Sequence, residues 1–218
     1  MDMMMQKPTR IALVVDKDEA THRALSRIGE SQGFIVSGFL EHQDFIDWFD
    51  DQCAYPTVSN FNCCFILDVG LMYLIKGGKL PGALYDIPKI YIGSPHFSCE
   101  LSKLASMGFF DFLEKPFSMK RIGECVDAAF MHHGKILNGV QQVLARHARL
   151  SKREFEVGML VVTGITNLEI GEKLNISIKT VKAHRAKVMK KTESASLVEL
   201  VRFFDSYLSL SESDSSMR

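Results

Sequence analysis

Read for its apolar positions alone, the chain changes character near residue 135. Before that point short unbroken apolar runs, IALVV, FIVSGF, CCFILD, PKIYIG and FFDFLE, alternate with amphipathic segments around Ala24, Leu25 and Ile28 and around Phe45 and Trp48. Unbroken runs, rather than strict alternation, are what strands need when helices cover both faces of a parallel sheet. The pattern predicts a doubly wound α/β domain with a five-stranded parallel sheet over residues 8–132, its first helix closed by Gly33. Such sheets collect ligands beyond the carboxyl ends of their strands, where the strand order reverses. Charged residues fall at those ends: Asp16 after the first run, Asp68 closing the third, and Lys115 after the fifth, directly before Pro116.

Beyond the sheet the period becomes helical. Ser118 can cap a helix through Ile122, Val126 and Phe130, and apolar positions continue at Ile136, Leu137, Val140, Val143 and Leu144. Spacings of three and four predict a helical linker over 133–149, a short coiled-coil seam, or a helix packed on its own domain. Gly134 and Gly139 count against the seam.

Next comes one N-terminal signature three times. S-K-R-E at Ser151–Glu154, T-N-L-E at Thr166–Glu169 and S-L-V-E at Ser196–Glu199 each have the capping-box form, in which hydroxyl and carboxylate satisfy orphan helix N–H groups reciprocally. Ser177 marks a fourth start, so residues 150–208 are expected to form an all-α domain of four helices. Its second helix, a tight turn at Asn175 to Ser177 and its lysine-rich third helix have helix-turn-helix spacing. At 100° per residue, Lys179, Lys182, Ala183, Ala186, Lys187 and Lys190 share one side of that third helix, with Val181, His184 and Val188 opposite. Residues 209–218, rich in serine and acids, are expected to be disordered.

Charge sharpens the division. The whole chain is neutral, but residues 1–140 carry 13 Lys+Arg against 17 Asp+Glu, whereas residues 141–203 carry 12 against 6. An acidic first part and a basic second part imply that only the second meets a polyanion, here double-stranded DNA. Small alanines between the lysines allow close approach to a groove, while the ammonium groups neutralise phosphates.

Five cysteines without a CxxC or zinc spacing read as reduced thiols, Cys63 and Cys64 lying inside an apolar run. No signal-peptide segment or bilayer-length apolar run is seen, so a cytoplasmic protein without membrane contact is expected. No hydrolase triad, zinc-protease helix or phosphate-binding glycine loop is present, and IKGGKLPG lacks a Ser or Thr after Lys79. The chain is not expected to be an enzyme.

The C-terminal motifs resemble a known family. L-S-x-R-E from Leu150, the G-x-x-N-x-E-I core from Gly164 and T-V-K-x-H-R from Thr180 stand in the register of the LuxR-type helix-turn-helix of the NarL/FixJ response regulators. The resemblance implies DNA contact through Lys179, Thr180, Lys182, Ala183, Arg185, Ala186, Lys187 and Lys190. It also implies a homodimer formed through the last helix, with Ser196, Leu197, Leu200 and Val201 at the contact. Leu168 stands where a lysine is usual, which removes one phosphate contact.

The first 120 residues or so resemble a receiver domain, a flavodoxin-like fold that takes a phosphoryl group from a histidine kinase onto an aspartate with Mg2+ held between acids. Asp68 matches the phosphoacceptor, Asp16 the first pocket acid, Lys115 with Pro116 the K-P pair, and Phe112 the switch aromatic. Two positions depart. Lys17 stands where the second acid belongs, and a lysine ammonium has no lone pair for a cation. Gly93 replaces the expected hydroxyl residue, with Ser94 one place late, and Asp18 lies one residue beyond the acid position. Lys17 is therefore expected to turn into the pocket and pair with Asp16 and Asp68 in place of Mg2+.

These departures imply an atypical receiver, weakly phosphorylated or not phosphorylated, with no cofactor unless the pocket is competent for Mg2+. Two alternatives stand beside it. One is a conventional regulator phosphorylated on Asp68 by a histidine kinase; the other is a receiver that acts purely as a dimerisation or protein-interaction module.

Overall fold

The computed structural model describes residues 9–51, 61–72, 87–94 and 109–215. The chain divides into two compact units, Met1–Leu137 and Asn138–Arg218.

In the first unit the apolar runs become strands β1 (Arg10–Val15), β2 (Ile35–Phe39), β3 (Asn62–Asp68), β4 (Lys89–Gly93) and β5 (Phe109–Glu114). They form one parallel sheet in the order β2-β1-β3-β4-β5. The order reverses between β1 and β3, so Asp16 and Asp68 sit at the crevice where a doubly wound sheet binds its ligands.

Alternate side chains of each strand go to opposite faces, and both faces are covered. Ala12, Val14, Cys64, Ile66, Ile90 and Ile92 pack against helices α1 (Glu19–Gln32) and α4 (Met119–Ala148) through Leu25, Ile28, Ile122, Val126 and Phe130. Leu13, Val15, Phe65, Leu67 and Tyr91 face the other way, where α2 (His42–Asp51) contributes Phe45 and the half-buried Trp48. Helix α3 is a single turn, Val69–Met72, directly after Asp68. Helix α1 starts at Asp18, whose carboxylate accepts from the Ala20 N–H, and ends at Gly33 with φ 72°, a left-handed conformation that glycine adopts without Cβ strain.

Two expected boundaries move. Helix α4 runs unbroken for 30 residues through Gly134 and Gly139, so the last sheet-covering helix and the linker are one element. The buried Asn62 amide, which donates to the Phe130 carbonyl, lies where a Cβ on Gly134 would come within 3.2 Å of it. Small size at Gly134 thus serves packing and does not mark a break.

The second unit holds α5 (Lys152–Val162), α6 (Asn167–Leu174), α7 (Ile178–Lys191) and α8 (Leu197–Ser215). Helix α8 continues past Ser209 to Ser215, so the expected disorder from residue 209 is corrected for 209–215: Ser209 and Ser211 hydroxyls bond back to the carbonyls of Asp205 and Leu208 within the helix. Val157, Val161, Ile170, Val181, Val188, Leu200, Phe203 and Phe204 make the core of this unit. Among the described residues no helix is long and apolar enough to cross a membrane. The IKGGKLPG segment lies outside the described residues.

Candidate functional site

Two sites lie where the sequence places chemistry. The first is the carboxyl edge of the sheet. Lys115 Nζ donates to Asp16 Oδ2 at 2.8 Å and to Asp68 Oδ2 at 2.7 Å. The second oxygens are engaged as well, Asp16 Oδ1 by the Asp18 N–H at 3.0 Å and Asp68 Oδ1 by the Gly70 N–H at 2.8 Å. Asp16 is 2% exposed, so its charge needs this partner. Burial alone pulls the Lys115 ammonium down, but hydrogen bonds and charge from Asp16 and Asp68 outweigh it and raise the group above its ordinary value. The Lys115–Pro116 bond is cis, and the Lys115 N–H donates to the Gly93 carbonyl at 2.7 Å. Ser94 follows half-buried, and Phe112 packs partly buried against the α2 side of the sheet.

Lys17 is not in this cluster. Its side chain is 58% exposed and pairs with Glu41 at 3.5 Å. The expectation that its ammonium would fill the pocket is corrected: Lys115 takes that place. Both residues lie past the end of β1, where Asp16 is buried and held by Lys115 while Lys17 stands exposed beside Glu41. Asp18 is committed too, capping α1 through the Ala20 N–H at 2.8 Å.

The second site is helix α7. Lys179, Lys182, Ala183, Ala186, Lys187 and Lys190 are all exposed, while Val181 and Val188 are buried. Ser177 caps the helix, accepting from the Thr180 N–H at 3.0 Å, and the Thr180 hydroxyl lies 2.8 Å from the Ser177 hydroxyl. Arg185 is half-buried and donates to Asn167 Oδ1 of α6 at 2.7 Å, which ties the two helices of the motif together. The turn between them is fixed by Asn175 at φ 51° and by Gly171, where a Cβ would lie 2.8 Å from the Ile176 carbonyl oxygen. His184 faces inward with Nδ1 buried. Glu154 of α5 closes its capping box with Ser151 and also accepts from Lys191 at 2.6 Å. The Lys191 bond, then the Ser151 N–H, lowers the Glu154 carboxyl to about 2.

Residues 148–204 match the model of the bacterial regulatory proteins of the luxR family. The chain is 32% identical over 198 residues to the transcriptional regulatory protein FixJ of Bradyrhizobium diazoefficiens, covering 87% of this chain and 91% of that protein. The chain belongs to the FixJ-type response regulators. A second relative, the transcriptional regulatory protein TdiR of Thauera aromatica, is 30% identical over 197 residues, covering 87% of this chain and 83% of that protein. The solved structure of the response regulator StyR shares the fold, with a TM-score of 0.54 at 23% identity, covering 90% of this chain and 98% of that one. As a FixJ-type regulator the protein is a transcriptional regulator with a LuxR-type DNA-binding domain.

Within this FixJ-type regulator, the expected contact surface on the last helix is redrawn by burial. Leu200 is 1% exposed and belongs to the core of its own unit, so it cannot meet a second chain. Ser196 is an N-terminal cap, accepting from the Glu199 N–H at 3.2 Å, and Val201 is half-buried. Leu197 at 48% and Val198 at 61% exposure are the open apolar positions of the first turn. Val198 escaped the sequence reading, although the 3.6-residue period set by Phe203 and Phe204 turns Leu200 inward and Val198 outward.

Proposed function

We propose that this regulator binds double-stranded DNA through α7 and that its receiver unit works weakly phosphorylated or without phosphorylation. The observation that carries the second half is Lys17, which stands where the second acid belongs, is exposed beside Glu41 and supplies no oxygen to the pocket. Magnesium binding takes carboxylate and other oxygens in near-octahedral geometry. At this edge both carboxylates hold an ammonium, Lys17 has no acceptor, Asp18 caps a helix, and Gly93 brings no hydroxyl. These residues do not fit the ion.

On the DNA side, Lys179, Lys182, Lys187 and Lys190 neutralise phosphates, and Ala183 and Ala186 let the helix backbone approach the groove. Arg185 acts through Asn167 as a positioning residue. A homodimer forms through the exposed Leu197 and Val198 with Val201 beside them.

The test is incubation of the full chain with acetyl phosphate and Mg2+, read by intact mass, by oligomeric state and by DNA affinity. The expected result is no stoichiometric phosphate and no change in either state or affinity. Full phosphate on Asp68, with dimerisation and affinity rising together, identifies a conventional regulator served by a histidine kinase and overturns the proposal.

A further inference from the structure

The lysine face of α7 does not end in lysines. At its N-terminal turn stands Ile178, 43% exposed, and beside it on α6 stands Leu168, 55% exposed. The two line one depression of about 370 Å³ together with Gly171, Glu172, Asn175, Ile176 and Ser177. Two exposed branched aliphatic side chains against one hollow have no role in the core of this unit.

Position decides what covers them. Ile178 is the first residue of α7, directly before Lys179 and one helical turn from Lys182, both exposed. A protein surface seated on Ile178 would also bury those ammonium groups, whereas DNA phosphates take them up. In a helix-turn-helix the N-terminal residues of the second helix reach the base edges. The major groove offers one apolar group there, the thymine 5-methyl.

We propose that Ile178, with Leu168 lining the same hollow, contacts a thymine methyl and is a specificity-determining residue of this regulator. The inference rests on the reading that α7 faces DNA. It gives Leu168 a use: where a lysine would add a sequence-blind phosphate contact, this leucine adds an apolar surface beside a base edge.

The test needs no known operator. Duplexes are selected from a random library with the full wild-type chain, and each thymine of the selected site is then replaced in turn by deoxyuridine. Affinities for wild type and Ile178→Ala are measured at one fixed salt concentration. Removing one methyl from an apolar contact is expected to weaken wild type about fourfold at one thymine, or at a symmetric pair. Ile178→Ala should be indifferent to the same replacement. Equal losses in both proteins at every thymine overturn the inference, as does failure of wild type to enrich any sequence. In that last case retention of bulk duplex by wild type, weakened in Lys187→Ala, shows that α7 still faces DNA and that only the base reading has failed.

Discussion

Replacing Lys115 by methionine removes one charge and leaves the stem, which isolates the ammonium's contribution. Stranding the partners of a buried ion pair costs about 3–5 kcal/mol. Asp16 is 3% exposed in its side chain, but Asp68 is 20% and Lys115 28% exposed, so solvent offsets part of the loss and about 2–3 kcal/mol is expected. The chain has one tryptophan, Trp48, packed on Phe39 and Phe45 in the same unit, so urea unfolding followed by its fluorescence reports the sheet unit alone. Without the ammonium, the carboxylates of Asp16 and Asp68 are left with no cation between them. Adding Asp68→Asn removes one of the two like charges and should recover part of the loss. An unchanged midpoint in Lys115→Met, or a double variant no more stable than the single one, would refute the reasoning.

Glu154→Ala removes both the capping-box return bond and the Lys191 bond from a buried position, and should cost the DNA-binding unit about 2–4 kcal/mol in thermal unfolding followed by helical circular dichroism. Because the folded Glu154 carboxyl lies near 2, below its unfolded value of 4.5, its contribution is complete above 4.5 and is lost as pH falls toward 2. The variant should therefore approach wild type in stability at the acid end. Lys187→Ala should weaken duplex binding for all sequences alike and reduce the slope of log affinity against log salt by about 0.9. Gly171→Ala drives a Cβ into the Ile176 carbonyl, and a loss of about 1–3 kcal/mol with weakened DNA binding is expected.

The sheet was legible because its strands are buried on both sides and so appear as unbroken runs, and their ends placed Asp16, Asp68 and Lys115 in one crevice. The capping boxes at Ser151 and Thr166 were equally readable, since the signature is a local hydrogen-bond pattern that the structure closes at both sites. What sequence spacing did not give was side-chain direction after a strand. The missing second acid says what Lys17 lacks but not where it points, and beyond the end of β1 its side chain goes to Glu41. Asp18 carried a signal that went unread: an aspartate before Glu19 and Ala20 is a helix cap, and a capping carboxylate is not free for other work. Pairings across long separations, Arg185 with Asn167 and Lys191 with Glu154, left no mark in the local pattern.

The Lys115 ammonium reaches over β4 to acids on β3 and β1, so one nitrogen brackets three strands that are not all neighbours in the sheet. Fraying at the carboxyl end of β5 breaks both bonds, whereas fraying past β1 breaks the Asp16 bond and fraying at β3 the Asp68 bond. The end of β5 therefore cannot open without releasing both acids, so one side chain couples the three strand ends that frame the crevice.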